Sequence, residues 1–244
     1  MFKIKFLFSL VLLVAVLDYS SAKVAPDYIK ICPGLKSDCL KKTVQETLPL
    51  FVKGIPELGV EPIDPLRTEE IIMVLPGGFK VEFRNGTSTG LRKCTIDSVE
   101  YQNAEANMKM HCDLSVKGKY KASGRILIVS INGNGDAKIK IKNVALEAKI
   151  KFHDVTRDGV VYHEVKNLII NQNFGDKVTF GLTNLFEGNP QLSEAVLQFL
   201  NQNWRQVSEE FGKPLVDKVV DIVTGIVKKF FEKVPKEELF IESE

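Results

Sequence analysis

Histidine is scarce in this 244-residue sequence, which has three copies, His111, His153 and His163. None belongs to an HExxH motif, and no cysteine–histidine spacing resembles a zinc site. The sequence also lacks a GxSxG nucleophile elbow, a P-loop and a dinucleotide-binding fingerprint. Adjacent carboxylates such as Glu209 and Glu210 lie in polar surroundings, where neither stands out as a catalytic acid. We therefore predict that the protein is not an enzyme and uses no cofactor or metal.

An excess of charge of one sign is also absent, since 33 Lys and Arg residues are balanced by 31 Asp and Glu residues. A nucleic-acid-binding protein would show a marked basic excess. Long apolar runs are missing beyond the first segment of the chain, whereas a membrane-spanning helix needs about 20 such residues. We therefore predict neither nucleic-acid binding nor stable insertion in a membrane.

The first segment has the pattern of a secretory signal peptide. Lys3 and Lys5 form a short basic start, an apolar run follows from Phe6 to Leu17, and small residues typical of a cleavage site come next. The alternative, a membrane anchor, fits less well because the run is shorter than a bilayer span. We predict that residues 1–22 are removed and that the mature protein is secreted.

The four cysteines are Cys32, Cys39, Cys94 and Cys112. In an oxidising compartment an even count suggests two bridges, and three pairings are formally open. Cys32 and Cys39 enclose a short loop, and Cys94 and Cys112 could face each other across a hairpin centred near Asn103. We predict the pairs 32–39 and 94–112. For the second pair, two buried free thiols are the alternative.

One N-x-S/T sequence occurs at Asn85-Gly86-Thr87, which makes Asn85 a candidate N-glycosylation site. Asn-Gly is also a strong signal for a hairpin turn. We predict a turn at Asn85-Gly86, with a glycan as an additional hypothesis.

From about Ile71 to Phe186 apolar and polar side chains alternate, as in FKVEFR at residues 79–84 and MKMHCDLSVKGKY at residues 108–120. This period of two is typical of antiparallel strands with one buried face. The phase changes at Lys142-Asn143, which predicts a β-bulge that bends the strand. We expect a curved sheet whose concave side is filled by apolar groups. Further turns are predicted at Asn132–Gly135 and Asp158–Gly159.

The C-terminal segment has a helical pattern from Pro190 to about Phe231. We predict one long helix with Pro214 in its middle, which unbroken would span on the order of 60 Å. Before Pro214 the apolar residues form a stripe about 60° wide, whereas after it they spread over about 180°. A half-apolar helix must be covered on that side, so we expect the sheet to wrap it.

Periodicity alone leaves two interpretations of the interior open. In the first, the interior is close-packed core, as in a secreted interaction or signalling protein without a ligand. In the second, the sheet does not close fully on the helix, and an elongated apolar cavity holds a lipid-like ligand. A third hypothesis, a hydrolase of lipid esters, has no motif in its favour.

Two signatures resemble those of the insect takeout / juvenile-hormone-binding protein (JHBP) family. They are IKICPGLKSDCLKK near the N-terminus and LFEGNPQLSEAVLQFLNQNWRQV before the long helix and the ending KVPKEELF. The resemblance covers nearly the whole mature chain and implies the family's N-terminal disulfide between Cys32 and Cys39. It implies one lipid-binding domain over residues 23–244 with an α+β, TULIP-like fold. In that fold a long C-terminal helix is wrapped by a highly curved antiparallel sheet around an internal apolar tunnel.

The same resemblance implies a secreted, non-enzymatic carrier of a small hydrophobic ligand, such as juvenile hormone, another terpenoid or a fatty acid. It implies an extracellular fluid such as haemolymph and a link to circadian, feeding or chemosensory physiology. The family has no shared set of ligand-contacting residues, so candidates come from the helical stripe and from inward strand positions. These candidates are Val116, Tyr120, Trp204, Phe211, Leu215, Val219, Ile222, Val223, Ile226 and Phe230.

Overall fold

The computed structural model describes residues 23–126 and 129–241, so the predicted signal peptide, residues 1–22, lies outside the described residues. Within them, one α-helix precedes seven strands and three α-helices follow. The helices are α1 Ser37–Phe51, α2 Pro190–Gln202, α3 Trp204–Phe211 and α4 Lys213–Lys233. The strands are β1 Leu66–Leu75, β2 Phe79–Thr89, β3 Thr95–Gln102, β4 Glu105–Ile126, β5 Val129–Arg157, β6 Val160–Asn173 and β7 Lys177–Leu182.

The described strands form one antiparallel sheet in the order β1-β2-β4-β5-β6, with β3 paired to β4 and β7 paired to β5. β4 has 22 residues and β5 has 29, whereas strands usually have about 3–10. The two long strands pair with each other along one edge, and along its other edge each has two shorter partners in succession. β4 pairs first with β3 and then with β2, and β5 pairs first with β7 and then with β6. Strands of this length twist and coil, which produces the predicted curved sheet.

The bulge predicted at Lys142-Asn143 is confirmed. The register of β4 and β5 shifts between Cys112 and Leu114, so that Asp113 faces two residues of β5 instead of one. One Asp113 carboxylate oxygen accepts a hydrogen bond from the Asn143 backbone N–H at 2.9 Å, and the other pairs with the Lys142 ammonium. The Lys142 ammonium, helped by the Asn143 N–H, lowers the pKa of Asp113 below its ordinary value. An ion pair and a hydrogen bond to the Asp113 carboxylate therefore stabilise the bulge.

Of the three predicted turns, one is confirmed and two are wrong. Asp158-Gly159 joins β5 to β6, and both residues have positive φ, 51° and 81°. Asn85-Gly86 is not a turn but a bulge inside β2, where the register with β4 shifts between Arg84 and Thr87. Asn85 is exposed on this bulge. The segment Asn132–Gly135 lies within β5.

The glycines of that β5 segment allow a close approach of another segment of the same chain and do not form a turn. A Cβ added to Gly135 would lie 2.2 Å from the Thr183 carbonyl oxygen, and one added to Gly133 would lie 2.9 Å from the Leu185 carbonyl oxygen. Glycine in a strand interior commonly marks such a contact. The residues after β7 cross β5 here, and the local sequence does not reveal that crossing.

The prediction of one long C-terminal helix is wrong, because the segment is interrupted at Asn203 and Gly212. Asn203 has non-helical φ and ψ of −102° and 27°, and its side-chain N–H donates to the Phe199 carbonyl oxygen at 2.9 Å. Pro214 has no N–H to donate to the preceding turn, so α3 ends at Phe211 and Pro214 lies in the first turn of α4.

The half-apolar part of α4 is covered, as its pattern predicts. Ile226 and Phe230 are buried in a cluster with Val52 and Val234, which α1 and the connector before β1 help to build. The rings of Phe51 and Phe230 meet edge to face with centroids 5.2 Å apart. This cluster is packed core, so other side chains of the protein cover the apolar residues in the second half of α4.

The structure joins Cys32 to Cys39 and Cys94 to Cys112, the pairs predicted from the sequence. Residues 94 and 112 are adjacent because β3 and β4 form a hairpin that turns at Asn103-Ala104. The second bridge is buried in a cluster between α1 and this hairpin. No helix in the described part of the chain has the length and apolar character needed to cross a membrane.

Candidate functional site

An apolar cavity of about 250 Å³ lies between the concave face of the sheet and the C-terminal helices. Strands β1, β2, β4, β5 and β7 form one wall, and α2, α3 and the start of α4 form the other. Protein interiors are normally close-packed, so a void of this size is a candidate ligand site. Its lining includes Phe79, Phe83, Tyr120 and Phe180 from the strands and Leu200, Val207, Phe211 and Leu215 from the helices.

Strand alternation builds the sheet side of the cavity. In β2 the residues Phe79, Val81 and Phe83 all line it, while the charged residues between them point away. The register places Val81 opposite Ala122 and Phe83 opposite Tyr120, and these partners on β4 line the cavity too. The wall therefore follows directly from the period of two in the sequence.

Two glycines set the position of the Phe83 ring. A Cβ added to Gly118 would lie 2.5 Å from Phe83 Cζ, and one added to Gly86 would lie 2.6 Å from Phe83 Cε1. The ring therefore occupies the space that side chains at these positions would take. Because it rests against the sheet, the ring leaves the cavity open in front of it.

Tyr120 contributes an aromatic ring to the cavity but not a free hydroxyl. Its O–H donates to the Thr183 carbonyl oxygen at 2.8 Å. Burial raises the pKa of Tyr120 to about 12, so the side chain is neutral at physiological pH. The strand side of the cavity is thus uniformly apolar toward a ligand.

The polar groups of the lining come from α3 and the break before it: Asn203, Gln206, Ser208 and Glu210. Ser208 is buried and its hydroxyl donates to the Trp204 carbonyl oxygen at 2.7 Å. Histidine, cysteine and lysine are absent from the lining that the described residues form. The arrangement can hold an elongated apolar molecule with one polar end.

Three of the ten candidate lining residues predicted from the sequence line the cavity, namely Tyr120, Phe211 and Leu215. Val116 packs against the same apolar cluster without reaching the cavity. Trp204 lies outside the lining, with the Arg205 guanidinium 4.6 Å from its ring centroid. Ligand contact by any of these residues stays a prediction.

The other five candidates lie on α4 beyond its first turns and away from the cavity. Ile222 is 36% exposed, and the rest pack in the cluster around Val52. The sequence pattern identified the segment with the most apolar residues, and in the structure that segment packs in the hydrophobic core and not against the cavity. The four packed residues are Val219, Val223, Ile226 and Phe230.

Several lining residues were missed from the sequence although their signal was present. Phe79 and Phe83 occupy the apolar positions of the FKVEFR alternation, and Leu200 lies on the narrow helical stripe. Phe180 and Leu185 carried no such signal, because β7 and the segment after it are short. Their place in the wall depends on the pairing of β7 with β5.

A chain of polar side chains around the buried His163 was also missed, and it lies apart from the cavity. His163 is 2% exposed; its Nε2 lies 2.7 Å from the Tyr101 hydroxyl and its Nδ1 lies 2.5 Å from an Asp154 carboxylate oxygen. The Lys236 ammonium donates to the other Asp154 oxygen at 2.9 Å, and the Phe152 ring stacks on the imidazole. This chain ties the C-terminal segment to β5 and β6.

The neighbours of Asp154 favour the ionised form of its carboxylate. Burial opposes its ionisation, but hydrogen bonds from Lys236 and His163 outweigh burial and hold the pKa of Asp154 below its ordinary value. Across the residues that the structure describes, no group of three or more His, Cys, Asp and Glu side chains is placed to hold a metal ion.

The model of the haemolymph juvenile hormone binding protein (JHBP) family matches residues 7–241. The chain belongs to this family. Its curved sheet and C-terminal helices match the crystal structure of Takeout 1 from Epiphyas postvittana with a TM-score of 0.82 and 37% identity, over 87% of this chain and 99% of the other. The fold and the family expected from the two sequence signatures are therefore confirmed.

Curated proteins are also similar to this chain, at lower identity. The circadian clock-controlled protein daywake is 25% identical in Drosophila yakuba and 23% identical in Drosophila melanogaster, in each case over 88% of both chains. A putative beta-carotene-binding protein from Schistocerca gregaria is 26% identical over 44% of both chains. JHBP is by its description a family of binding proteins.

Proposed function

We propose that this protein is a secreted, non-enzymatic carrier that holds a small hydrophobic ligand in the cavity between the sheet and the helices. The observation that carries the proposal is the cavity itself, about 250 Å³ of space with an apolar lining and polar groups at α3 and the break before it. Burying an apolar chain there would supply affinity at about 0.8 kcal/mol per CH₂ before the costs of ordering.

The ligand class follows from the family and from the size of the site. The family description names juvenile hormone and one relative is named for beta-carotene, so we propose a terpenoid or a fatty-acid-like lipid. Typical ligand pockets enclose about 300–1,000 Å³, and this cavity lies just below that range. A slender or medium-length molecule fits, whereas a forty-carbon carotenoid would need the cavity to enlarge.

Secretion is supported by the signal-peptide pattern of residues 1–22 and by two disulfides, which persist in oxidising compartments. The mature chain, residues 23–244, would form one ligand-binding domain. Asn85 is exposed, as a glycan acceptor must be. A role in circadian physiology is proposed from the name of the daywake relatives, and the feeding and chemosensory roles stay proposals from the sequence resemblance alone.

The proposal is tested by native mass spectrometry of the protein purified from its own tissue, followed by lipid extraction and displacement of a fluorescent fatty-acid or terpenoid probe. We expect a copurifying apolar molecule and saturable probe binding. Leu215→Trp should fill the cavity and weaken probe binding. Ile222→Trp, on the same helix but exposed and outside the lining, is the matched control and should bind as wild type does.

If no apolar molecule copurifies and no probe binds, the carrier proposal fails. The alternative, a secreted interaction or signalling protein with a packed core, would then account for the family resemblance without a ligand. Equal loss of binding in the two Trp variants would also count against the cavity as the site.

A further inference from the structure

The outward face of the sheet arranges its lysines in two different ways on the two sides of the bulge. In the half where β3 and β6 are the outer partners, Lys151 on β5 lies opposite Glu105 on β4, with their charged atoms 2.7 Å apart. Lys109 and Lys149 share the Glu147 carboxylate at 3.9 and 3.4 Å. Opposite charges on neighbouring strands stabilise an exposed sheet face, so the lysines of this half have local acidic partners.

On the other side of the bulge the lysines face one another. Lys117 on β4 lies directly opposite Lys138 on β5. Lys142 on β5 lies opposite Lys177 on β7, and Lys140 between them has uncharged partners on both neighbouring strands. We call Lys117, Lys138 and Lys140 the lysine row; all three are exposed and form no ion pair with any residue that the structure describes. Like charges opposite one another destabilise a sheet, and this half retains that cost.

A surface cleft of about 710 Å³ lies at the end of the lysine row, between the bulge and the short helical turn Leu91–Lys93. Its carboxylates are those of Asp64 and Asp113. Cationic side chains and hydroxyl groups also line it, namely Arg92, Lys93, Lys140 and Lys142 with Thr89 and Ser115. Such a lining suits a hydroxylated anion, because the cations pair with negative charge and the hydroxyls bond to polar groups.

Both carboxylates of the cleft are engaged by two of its cations. Asp64 is 1% exposed, and one of its oxygens accepts from the backbone N–H and the guanidinium Nε of Arg92 at 2.7 and 3.3 Å. Asp113 forms an ion pair with Lys142. These pairs leave the other two lysines of the cleft without a compensating negative charge.

Those two lysines, Lys93 and Lys140, give the cleft a net positive charge. Both are exposed, and neither pairs with an acidic side chain in the described part of the chain. From Lys140 the lysine row continues to Lys138 and Lys117, at about 7 Å for two residues along a strand and about 5 Å between strands. The whole chain is nearly balanced, with 33 basic and 31 acidic residues, so this excess is local.

The arrangement of these cations fits a chain of repeated anions better than one small anion or a flat surface. A free phosphate or sulfate in the cleft would leave Lys138 and Lys117 facing each other without a partner. A flat bilayer cannot enter the cleft, and none of the exposed large hydrophobic residues of the described chain belongs to the cleft or the lysine row, where it could insert into lipid. A sulfated polysaccharide combines repeated anions with hydroxyl groups.

We propose that the cleft and the lysine row together bind a sulfated polysaccharide. This inference goes beyond the carrier function and uses the opposite face of the same strand. Ile139 lines the apolar cavity, whereas Lys138 and Lys140 on either side of it point outward. The polysaccharide therefore retains the protein at a polyanionic matrix and leaves the cavity open to its own ligand.

Binding of fluorescently labelled heparin to the mature protein, followed by fluorescence anisotropy, tests the proposal. We expect saturable binding that weakens steeply as sodium chloride is raised, because the lysines displace counterions from the polyanion. The double variant Lys93→Gln/Lys140→Gln should bind heparin about tenfold or more weakly, since a lysine near an anionic surface contributes about fivefold to affinity. Its affinity should also depend less steeply on salt.

Lys149→Gln/Lys151→Gln is the matched control. It removes the same charge from the same strand, at lysines that pair with Glu147 and Glu105 and lie roughly 30 Å along β5 from the cleft. That distance exceeds the screening length of about 10 Å, so heparin affinity should stay near the wild-type value. All four substituted lysines are exposed, so both variants should fold and bind the cavity probe as wild type does.

The outcomes separate this inference from the carrier proposal. If heparin does not bind, or if both double variants lose affinity equally, the polysaccharide site is overturned, while binding of the cavity probe still decides the carrier function. If hyaluronan, which has carboxylates but no sulfates, binds as tightly as heparin, recognition of sulfate is overturned. If phosphatidylserine vesicles bind more tightly than heparin and lose affinity in Lys93→Gln/Lys140→Gln, the partner is a membrane and the proposal is again overturned.

Discussion

The side chain of Asn201 on α2 satisfies both backbone polar groups of Phe180 on β7. Asn201 Oδ1 accepts from the Phe180 N–H at 2.8 Å, and Asn201 Nδ2 donates to the Phe180 carbonyl oxygen at 2.9 Å. On its other side β7 pairs with β5, so the amide takes the place of the next strand. One residue of the LNQNW signature thus docks the helical wall of the cavity onto the sheet wall.

Replacing Asn201 with leucine should loosen this junction. Asn201→Leu leaves the N–H and the carbonyl oxygen of Phe180 partly buried without partners, which costs about 1–3 kcal/mol. Urea denaturation should show this loss as a lower midpoint. Gln202→Ala changes an exposed neighbour and should leave the midpoint within about 0.5 kcal/mol of wild type. An unchanged midpoint in Asn201→Leu would show that solvent satisfies Phe180.

Adding a methyl group at Gly118 should shrink the cavity. Gly118→Ala places a Cβ 2.5 Å from the Phe83 ring, so the ring must move away from the sheet into the cavity. We expect weaker probe binding and a loss of stability of about 1–3 kcal/mol from overpacking. A crystal structure of the variant would show the displaced ring.

Gly225→Ala is the matched control for that prediction. Gly225 lies in α4, and no atom stands within 4 Å of an added Cβ. Alanine should therefore stabilise the helix by about 0.5–1 kcal/mol without changing probe binding. If Gly118→Ala binds the probe as Gly225→Ala does, the ring has room elsewhere.

Removing the Asp154 carboxylate should reduce sensitivity to acid. The pKa of Asp154 is lower in the folded protein than its ordinary value, so the carboxylate stabilises folding above its unfolded pKa of about 3.9. This contribution is lost as the pH falls through the lower, folded value. Between about pH 5 and pH 2, wild type should therefore lose more stability than Asp154→Asn in chemical denaturation.

Lys236→Gln tests the cause of the Asp154 effect. It removes one hydrogen-bonding cation and leaves the His163 contact, so its acid sensitivity should lie between those of wild type and Asp154→Asn. Identical pH dependence in all three proteins would assign the acid sensitivity to other carboxylates.

Relieving a like-charge contact on the convex face should stabilise the sheet. Lys117 on β4 lies directly opposite Lys138 on β5, and both are exposed. Lys138→Glu should raise stability by about 0.2–1 kcal/mol, whereas Lys138→Gln removes repulsion only and should give a smaller gain. The difference between the variants should shrink in high salt, because salt screens exposed charges. A destabilised Lys138→Glu would contradict a repulsive pair.

The local sequence pattern was sufficient to predict those elements that depend on interactions between near neighbours in the chain. The alternation around Phe83 and Tyr120 predicted inward positions on paired strands, the phase slip predicted the bulge at Lys142-Asn143, and the Asp158-Gly159 signal predicted its turn. In each case the period of two or the conformational preference of the residues operates over a few neighbours.

The other two turn predictions failed because contacts with residues distant in the sequence override the local preference for a turn. Asn-Gly at 85–86 and the glycines at 133 and 135 are tight-turn sequences by local preference. In the structure they are absorbed into β2 and β5, where Phe83 and the segment Thr183–Leu185 need the space of a missing side chain. A glycine required by a turn and a glycine required by close packing look the same in sequence.

The sequence by itself determined the alternation of a curved antiparallel sheet and the need to cover the apolar side of the helix after Pro214, and it predicted the two disulfide pairs, since alternation, spacing and amphipathicity are local properties. Only the tertiary structure decided where the interior stays open. The densest apolar stretch, ending at Phe230, is filled by Val52 and its neighbours, while the cavity lies beside the sparser stripe of Leu200 and Phe211. Whether an apolar surface meets protein or empty space depends on what folds against it from elsewhere in the chain.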